Sequence, residues 1–106
     1  MDRIKSKKDI DTIFKTGSWQ HHGLLKLLIC PCEQRDQSGR VAFIAGKKTG
    51  GAVMRNKAKR MMREAFRLSE RQPSAQCVFI ATSKTKDAQL NQLITAINKL
   101  LDSAGV

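Results

Sequence analysis

This chain is short of acids, cysteines, aromatics and long apolar runs, and each shortage narrows what it can be. Nine Asp and Glu stand against 20 Lys and Arg on 106 residues, a formal net charge of +11. A nuclease that carries its own two-metal site needs clustered carboxylates. The acids here are dispersed; Asp2, Asp9, Asp11, Asp87 and Asp102 read as caps and solvated positions. Three cysteines is an odd number without framework spacing, which excludes a disulfide scaffold and favours a reduced, cytoplasmic setting. Cys30, Cys32 and Cys77 lack a fourth ligand at recognisable spacing, and the adjacent His21 and His22 should point apart, so no metal bound by the protein is expected. The longest apolar runs are five to six residues, too short to span a bilayer. Met1 to Lys8 is charged with no apolar stretch behind it, unlike a signal peptide. No phosphate-loop motif of the form G-x-x-x-x-G-K-[ST] occurs, and no spacing suggests a Ser/His/Asp or Cys/His catalytic set. There is no Tyr and a single Trp.

What the chain has in quantity is positive charge, and it is clustered. From Lys47 to Arg71 there are 9 basic residues and 2 acids, so 7 of the 11 net charges fall in 25 residues. Clustering of this kind is the footprint of a polyanion binder, whereas a scattered excess argues only for solubility. At 100° per residue, the stretch from Ala52 to Leu68 separates into two faces. Ala58, Met61, Met62, Ala65, Phe66 and Leu68 share one side, the stripe of a helix packed on a core. Arg55, Lys59 and Arg63 run along the other at i, i+4, i+8, widened by Asn56, Arg60 and Arg67. Like charges four apart repel by a few tenths of a kcal/mol. Only Glu64 interrupts the row, which implies an anionic partner that relieves the repulsion. Met54, Met61 and Met62 read as core filler.

The remaining elements form one domain over residues 1–106. Ser6-Lys7-Lys8-Asp9 resembles a capping box, followed by Ile10, Ile13 and Phe14 at helical spacing and a stop at Gly17. Leu24 to Cys30 reads as a buried strand ended by Pro31, and Glu33 to Gly39 as a turn. Val41 to Ala45 is a second strand, and Lys47 to Gly51 a basic glycine loop. Ser69 to Gln76, with Pro73, is a connection. Cys77 to Thr82 is the strongest strand signal, β-branched and aromatic without breakers. Leu90, Leu93, Ile94, Ile97, Leu100 and Leu101 define a final amphipathic helix. A short strand over Ser18 to Gln20 is possible. The order α-β-β-(β)-α-β-α predicts an α+β fold, a two-layer sandwich with helices packed on a small central sheet.

The run from Lys47-Lys48-Thr49-Gly50-Gly51-Ala52-Val53-Met54-Arg55-Asn56-Lys57 through Ala58-Lys59-Arg60-Met61-Met62-Arg63-Glu64-Ala65-Phe66-Arg67 resembles the signature of the bacterial ribonuclease P protein subunit. That signature is a basic pair, a glycine loop, Ala-Val, an Arg-Asn-Arg block, then Lys-Arg and a further Arg. Arg3-Ile4 and Ile13-Phe14-Lys15-x-Gly17 resemble the family's opening helix. The resemblance implies an accessory subunit of a ribonucleoprotein endoribonuclease that removes the 5′ leader of precursor tRNA. Catalysis would belong to the RNA subunit, with Mg2+ brought by that RNA and no catalytic residue on the protein. Its partners would be the catalytic RNA and the leader, with no membrane and no obligate protein partner. It also implies a left-handed βαβ crossover, where general chain topology would give a right-handed one.

Carried onto this chain, Arg55, Asn56, Lys57, Lys59, Arg60, Arg63 and Arg67 would face the catalytic RNA, with Lys47 and Lys48 adding phosphate contacts. Ile10, Phe14 and Leu27 would line the leader cleft between the first helix and the sheet. The chain departs from the pattern at Lys57, which keeps the charge of a frequent arginine but loses its planar fork, and at Gly51, often polar. Ile10 and Leu27 stand where the family has aromatics. The alternative is a sequence-specific DNA-binding protein using helix 52–68 in a major groove. Against it, a strand-like segment and a glycine loop precede Ala52, rather than a partner helix with a short turn.

Overall fold

The structure, a computed structural model, describes residues 17–31 and 41–106. The expected first helix, and with it Ile10 and Phe14, lies outside the described residues, as does Cys32. Within them the order is β1 (Ser18–His21), β2 (Leu25–Pro31), β3 (Val41–Ile44), α1 (Ala52–Ser69), β4 (Ala75–Ala81) and α2 (Leu90–Ala104). The strands form one mixed sheet in the order β1-β2-β4-β3. β1 and β2 are antiparallel, as are β2 and β4, while β3 runs parallel to β4. A parallel pair cannot be joined by a hairpin. The connection from β3 to β4 is α1 itself, so the basic helix is the crossover of a βαβ unit.

The register sorts every strand residue onto one of two faces. Gln20, Leu27, Phe79 and Phe43 align across the sheet, and so do Ser18, Ile29, Cys77 and Val41. These rows lie under the helices. Leu27, Ile29, Cys77, Phe79 and Val41 form one core cluster with Ala58, Met62 and Ala65 of α1 and Leu93, Ala96, Ile97 and Leu101 of α2. The alternate rows, Trp19–Leu28–Val78–Ala42 and His21–Lys26–Ile80–Ile44, belong to the opposite face. There Leu28, Ala42 and Val78 make a second, smaller cluster, with Ile44 and Ile80 packed against it.

α1 runs one residue beyond the predicted helix and closes with Glu70 in the left-handed region, φ 56°. The Ser69 hydroxyl donates to the Phe66 carbonyl at 2.6 Å in this last turn. α2 begins with a capping box between Gln89 and Gln92 and stops at Gly105, φ 74°, which suits a residue without Cβ. β4 starts two residues earlier than expected, at Ala75, because Ala75 and Gln76 continue the pairing with Pro31 and Cys30. The short strand over Ser18 to Gln20 is present and extends to His21.

Two threonines fasten the loops. Thr82 Oγ1 donates to the Gly23 and Leu24 carbonyls at 3.1 and 3.2 Å. The buried Thr85 hydroxyl donates to Leu24 O and accepts from Thr82 N–H. The β1–β2 turn is thereby bound to the short 3-10 turn Thr85–Asp87 that precedes α2.

Candidate nucleic-acid interface

α1 presents the two faces that its sequence implies. Ala58, Met62 and Ala65 are buried, and Met61 and Phe66 are partly buried against the core. Phe66 closes a ring cluster, 6.0 Å from Phe43 and 5.6 Å from Phe79 between centroids. Asn56, Lys57, Arg60, Arg63 and Arg67 are exposed, with Arg55 and Lys59 half-buried along the same helix. Lys47 and Lys48 are exposed on the 3-10 turn Lys47–Thr49 that feeds the helix. Every residue expected to face RNA on this segment therefore sits on one helix or its entry turn, and none belongs to the core.

Three assignments on the apolar side need correction. Leu68 is 43% exposed and Met54 38% exposed, so neither fills the core. Leu68 sits in the last turn of α1. Met54 lies in the first turn, beside Gly50. The third correction is Leu27. It is completely buried in the core cluster under the helices, so its side chain is not exposed to line a cleft. Strand side chains alternate, so an error of one position moves a residue through the sheet. The neighbouring Leu28 belongs to the row on the far face and is equally buried there, in the smaller cluster with Ala42 and Val78.

That far face carries a residue the sequence could not place. Trp19, 41% exposed, aligns with Leu28. Its ring stacks on His21, with centroids 6.1 Å apart and planes at 18°. Lys26 is exposed beside His21 in the same register row. The face thus ends at the β1 edge in an aromatic pair and a cation. Its signal in the sequence was the alternation Trp19, His21, legible only once Ser18–His21 is known to be a strand. His22 points elsewhere. Its Nδ1 accepts from Leu24 N–H at 3.2 Å, and it lines a cavity of about 290 Å³ with Leu24, Asn91, Gln92 and Thr95.

The charges on α1 are nearly all uncompensated. Among the described residues the ion pairs are Glu64–Arg67 and Arg71–Asp102. The first occupies the far end of the basic row. Arg67 Nε donates to Glu64 Oε2 at 3.2 Å, and Arg67 Nη2 donates to Oε1. This hydrogen bonding holds the Glu64 carboxyl below the usual carboxylate range and raises Arg67. The second pair, with an Arg71 bond to the Val106 carbonyl, ties the α1–β4 connection to the end of α2. Arg55, Lys57, Lys59, Arg60 and Arg63 have no carboxylate partner among the described residues. No group of three His, Cys, Asp or Glu side chains is placed to hold a metal ion among them either, and no helix there is long and apolar enough to cross a membrane.

Fold and surface together define a class: a small α+β protein that carries a one-sided cationic helix as the crossover of a mixed sheet. Comparison with known proteins specifies it. The Ribonuclease P family model matches residues 1–105, and the chain belongs to that family. It is 31% identical over 100 residues to the ribonuclease P protein component of Nitratiruptor sp., covering 93% of this chain and 88% of that one. Among solved structures it resembles a Staphylococcus aureus RNase P protein mutant with defective mRNA degradation activity. The TM-score there is 0.83 at 29% identity, over 98% of this chain and 88% of that one. The RNase P protein from Thermotoga maritima shares the fold, with a TM-score of 0.78 at 23% identity over 95% and 96% of the two chains. The DNA-binding alternative finds no support in these relatives. The approach to α1 is a strand and a 3-10 turn, not the partner helix that a helix-turn-helix reader requires.

Proposed function

We propose that this protein is the RNA-binding subunit of a cytoplasmic ribonuclease P, and that α1 is its contact with the catalytic RNA. The observation that carries this is the row of Arg55, Asn56, Lys57, Lys59, Arg60 and Arg63, exposed or half-buried, without carboxylate partners among the described residues, on a helix anchored by its other side. Arginine forks bind phosphate oxygens in pairs, and Asn56 can donate and accept at a base edge or sugar. Anchoring matters because a rigid row orients several phosphates at once. Arg67, held by Glu64, is the least available member.

The 5′ leader of precursor tRNA would lie along the β1 edge of the far sheet face. Trp19 and His21 offer stacking surfaces there, and Lys26 a phosphate contact. Stacking on aromatics accepts any base, which suits leaders of differing sequence. Hydrolysis would belong to the RNA, with the Mg2+ it holds. On the protein, the described carboxylates are apart: Glu64 and Asp102 are spent in ion pairs, and Glu70 and Asp87 are exposed on separate turns.

Two measurements test this. Affinity for the catalytic RNA should fall steeply with salt, and Arg60→Ala should lower the log–log slope by about 0.7–0.9, one phosphate contact. An unchanged slope places the footprint elsewhere. Precursor tRNA incubated with Mg2+ should be processed only when the RNA subunit is present. The S. aureus relative's mRNA degradation activity makes an mRNA substrate the stricter RNA-free arm. Stoichiometric cleavage of either substrate by protein alone would overturn the assignment of catalysis to RNA.

A further inference from the structure

The chain carries a net charge of +11, yet one cavity is walled without ions. It has a volume of about 290 Å³ and lies between the β1–β2 turn and the start of α2. His22, Leu24, Asn91, Gln92 and Thr95 line it, with no Lys, Arg, Asp or Glu among them. α2 itself carries only Lys99 and Asp102, of opposite sign. A phosphate site would draw on the cations this protein has in excess. An ion placed here would leave water for a wall that offers no countercharge. Ligand pockets usually measure about 300–1,000 Å³, so this one has room for a single small ring. Its walls are set by the fold. The Thr82 and Thr85 hydroxyls both donate to the Leu24 carbonyl, which holds the β1–β2 turn to the turn before α2. The capping box fixes the first turn of α2.

The hydrogen bonds already made in this region leave a particular set over. His22 Nδ1 accepts from Leu24 N–H at 3.2 Å, so the ring proton is on Nε2, a donor. Gln92 Oε1 accepts from Gln89 N–H at 2.9 Å, which leaves the Gln92 amide NH2 to donate. Thr95 Oγ1 gives its proton to the Asn91 carbonyl at 3.0 Å, so its oxygen is left only to accept. The Asn91 side chain has no partner among the described residues and can do both. Three side chains can thus donate and two can accept. The complementary ligand is uncharged and has more acceptors than donors on its edge. Uracil presents two carbonyl oxygens on either side of one N–H. Adenine presents an amino donor and ring nitrogens, and no carbonyl. Leu24 supplies an apolar wall and the His22 ring a plane. Unstacked bases are held on such planes and read along their pairing edges.

We infer that this cavity is a binding site for a single uracil base. It uses other residues than the α1 row and does not depend on that row's contact with the catalytic RNA. A free uridine and an unpaired uridine within an RNA strand present the same chemistry, and the two sources are separated by experiment.

Backbone amide NMR spectra of the full chain, titrated with uridine, should show saturable shifts at Leu24, Asn91, Gln92 and Thr95. Adenosine should bind at least about tenfold more weakly, since it leaves the donors of the wall unpaired. Asn91→Ala and Thr95→Val should each weaken uridine about threefold to tenfold, one neutral hydrogen bond, with unchanged melts. Asn98→Ala, on the same helix but outside the cavity wall, should leave binding intact. Hexauridylate and an abasic ribose–phosphate strand of equal length then give the source. Cavity shifts at lower concentrations of hexauridylate than of uridine assign the base to an RNA strand; shifts at equal or higher concentrations assign it to a free nucleoside. The abasic strand should leave the cavity residues unmoved and shift α1. If it leaves α1 unmoved as well, the α1 reading fails while the uracil site stands. If uridine produces no saturable shifts at these residues, if adenosine matches it, or if Asn91→Ala and Thr95→Val bind uridine as the parent does, the cavity is not a uracil site.

Discussion

Glu64 is the single acid within the basic helix, and its pairing decides what Arg67 can do. The carboxylate accepts two bonds from one guanidinium, which satisfies the fork that would otherwise reach a phosphate. Because the folded pKa of Glu64 is lowered by Arg67, the pair is complete above the ordinary carboxylate range and is lost as pH falls through the lowered value. Near neutral pH Arg67 is therefore occupied. Replacing Glu64 with Gln should free it, raising affinity for the catalytic RNA and steepening the salt slope by up to one contact, about 0.7–0.9. Titrations of Glu64→Gln and Arg67→Ala across a salt series check this. If Glu64→Gln changes nothing while Arg67→Ala weakens binding, Arg67 reaches RNA in spite of its partner, and the row is one residue longer than proposed.

At the scale of elements, α1 separates stability from binding. Phe66 packs on Phe43 and Phe79, so Phe66→Ala should cost roughly 3 kcal/mol, the low end for a large-to-small change because the ring is only partly buried. Arg63→Ala removes no core volume and relieves repulsion from Lys59 and Arg67, so its melt should hold or rise slightly. Its loss should appear in RNA affinity. Thermal melts beside RNA titrations separate the two. Unfolding by Arg63→Ala with an unaffected Phe66→Ala would reverse the faces. This division was readable beforehand because a helix of 18 residues repeats its pattern five times over. Strands β2, β3 and β4 were foreseen as apolar runs with clear breakers, and β1 as a short possible strand over Ser18 to Gln20. The direction in which each strand residue points was not. Apolar runs such as Leu24-Leu25 and Leu27-Leu28-Ile29 are hydrophobic on both faces, so nothing in them reveals which of Leu27 or Leu28 lies under the helices. Only the register does. The cavity beside His22 was invisible for a different reason: its walls are the β1–β2 turn and the start of α2, brought together by a clasp of threonines whose partners are 58 to 61 residues away in the chain.

For the whole molecule, the sheet keeps the two proposed RNA contacts apart. The helices and their core cluster take one face, and the Trp19–Leu28–Val78–Ala42 row belongs to the other. A subunit that binds the catalytic RNA through α1 keeps Trp19, His21 and Lys26, exposed at the β1 edge of the opposite face, for a substrate strand. The two contacts should then be separable by mutation. Trp19→Ala should weaken holoenzyme binding of precursor tRNA by about 1–3 kcal/mol, the worth of one base stacked on an aromatic. Mature tRNA, which has no leader, should bind as before, and affinity of the free protein for the catalytic RNA should not move. Arg60→Ala should do the reverse, weakening assembly without distinguishing precursor from mature tRNA once the holoenzyme is saturated. Binding measured with leaders shortened one nucleotide at a time then locates the contact, since the Trp19→Ala penalty must vanish when the stacked nucleotide is removed. A penalty that persists on mature tRNA would mean that Trp19 supports the fold or the assembly, and the leader would have to be sought on another surface.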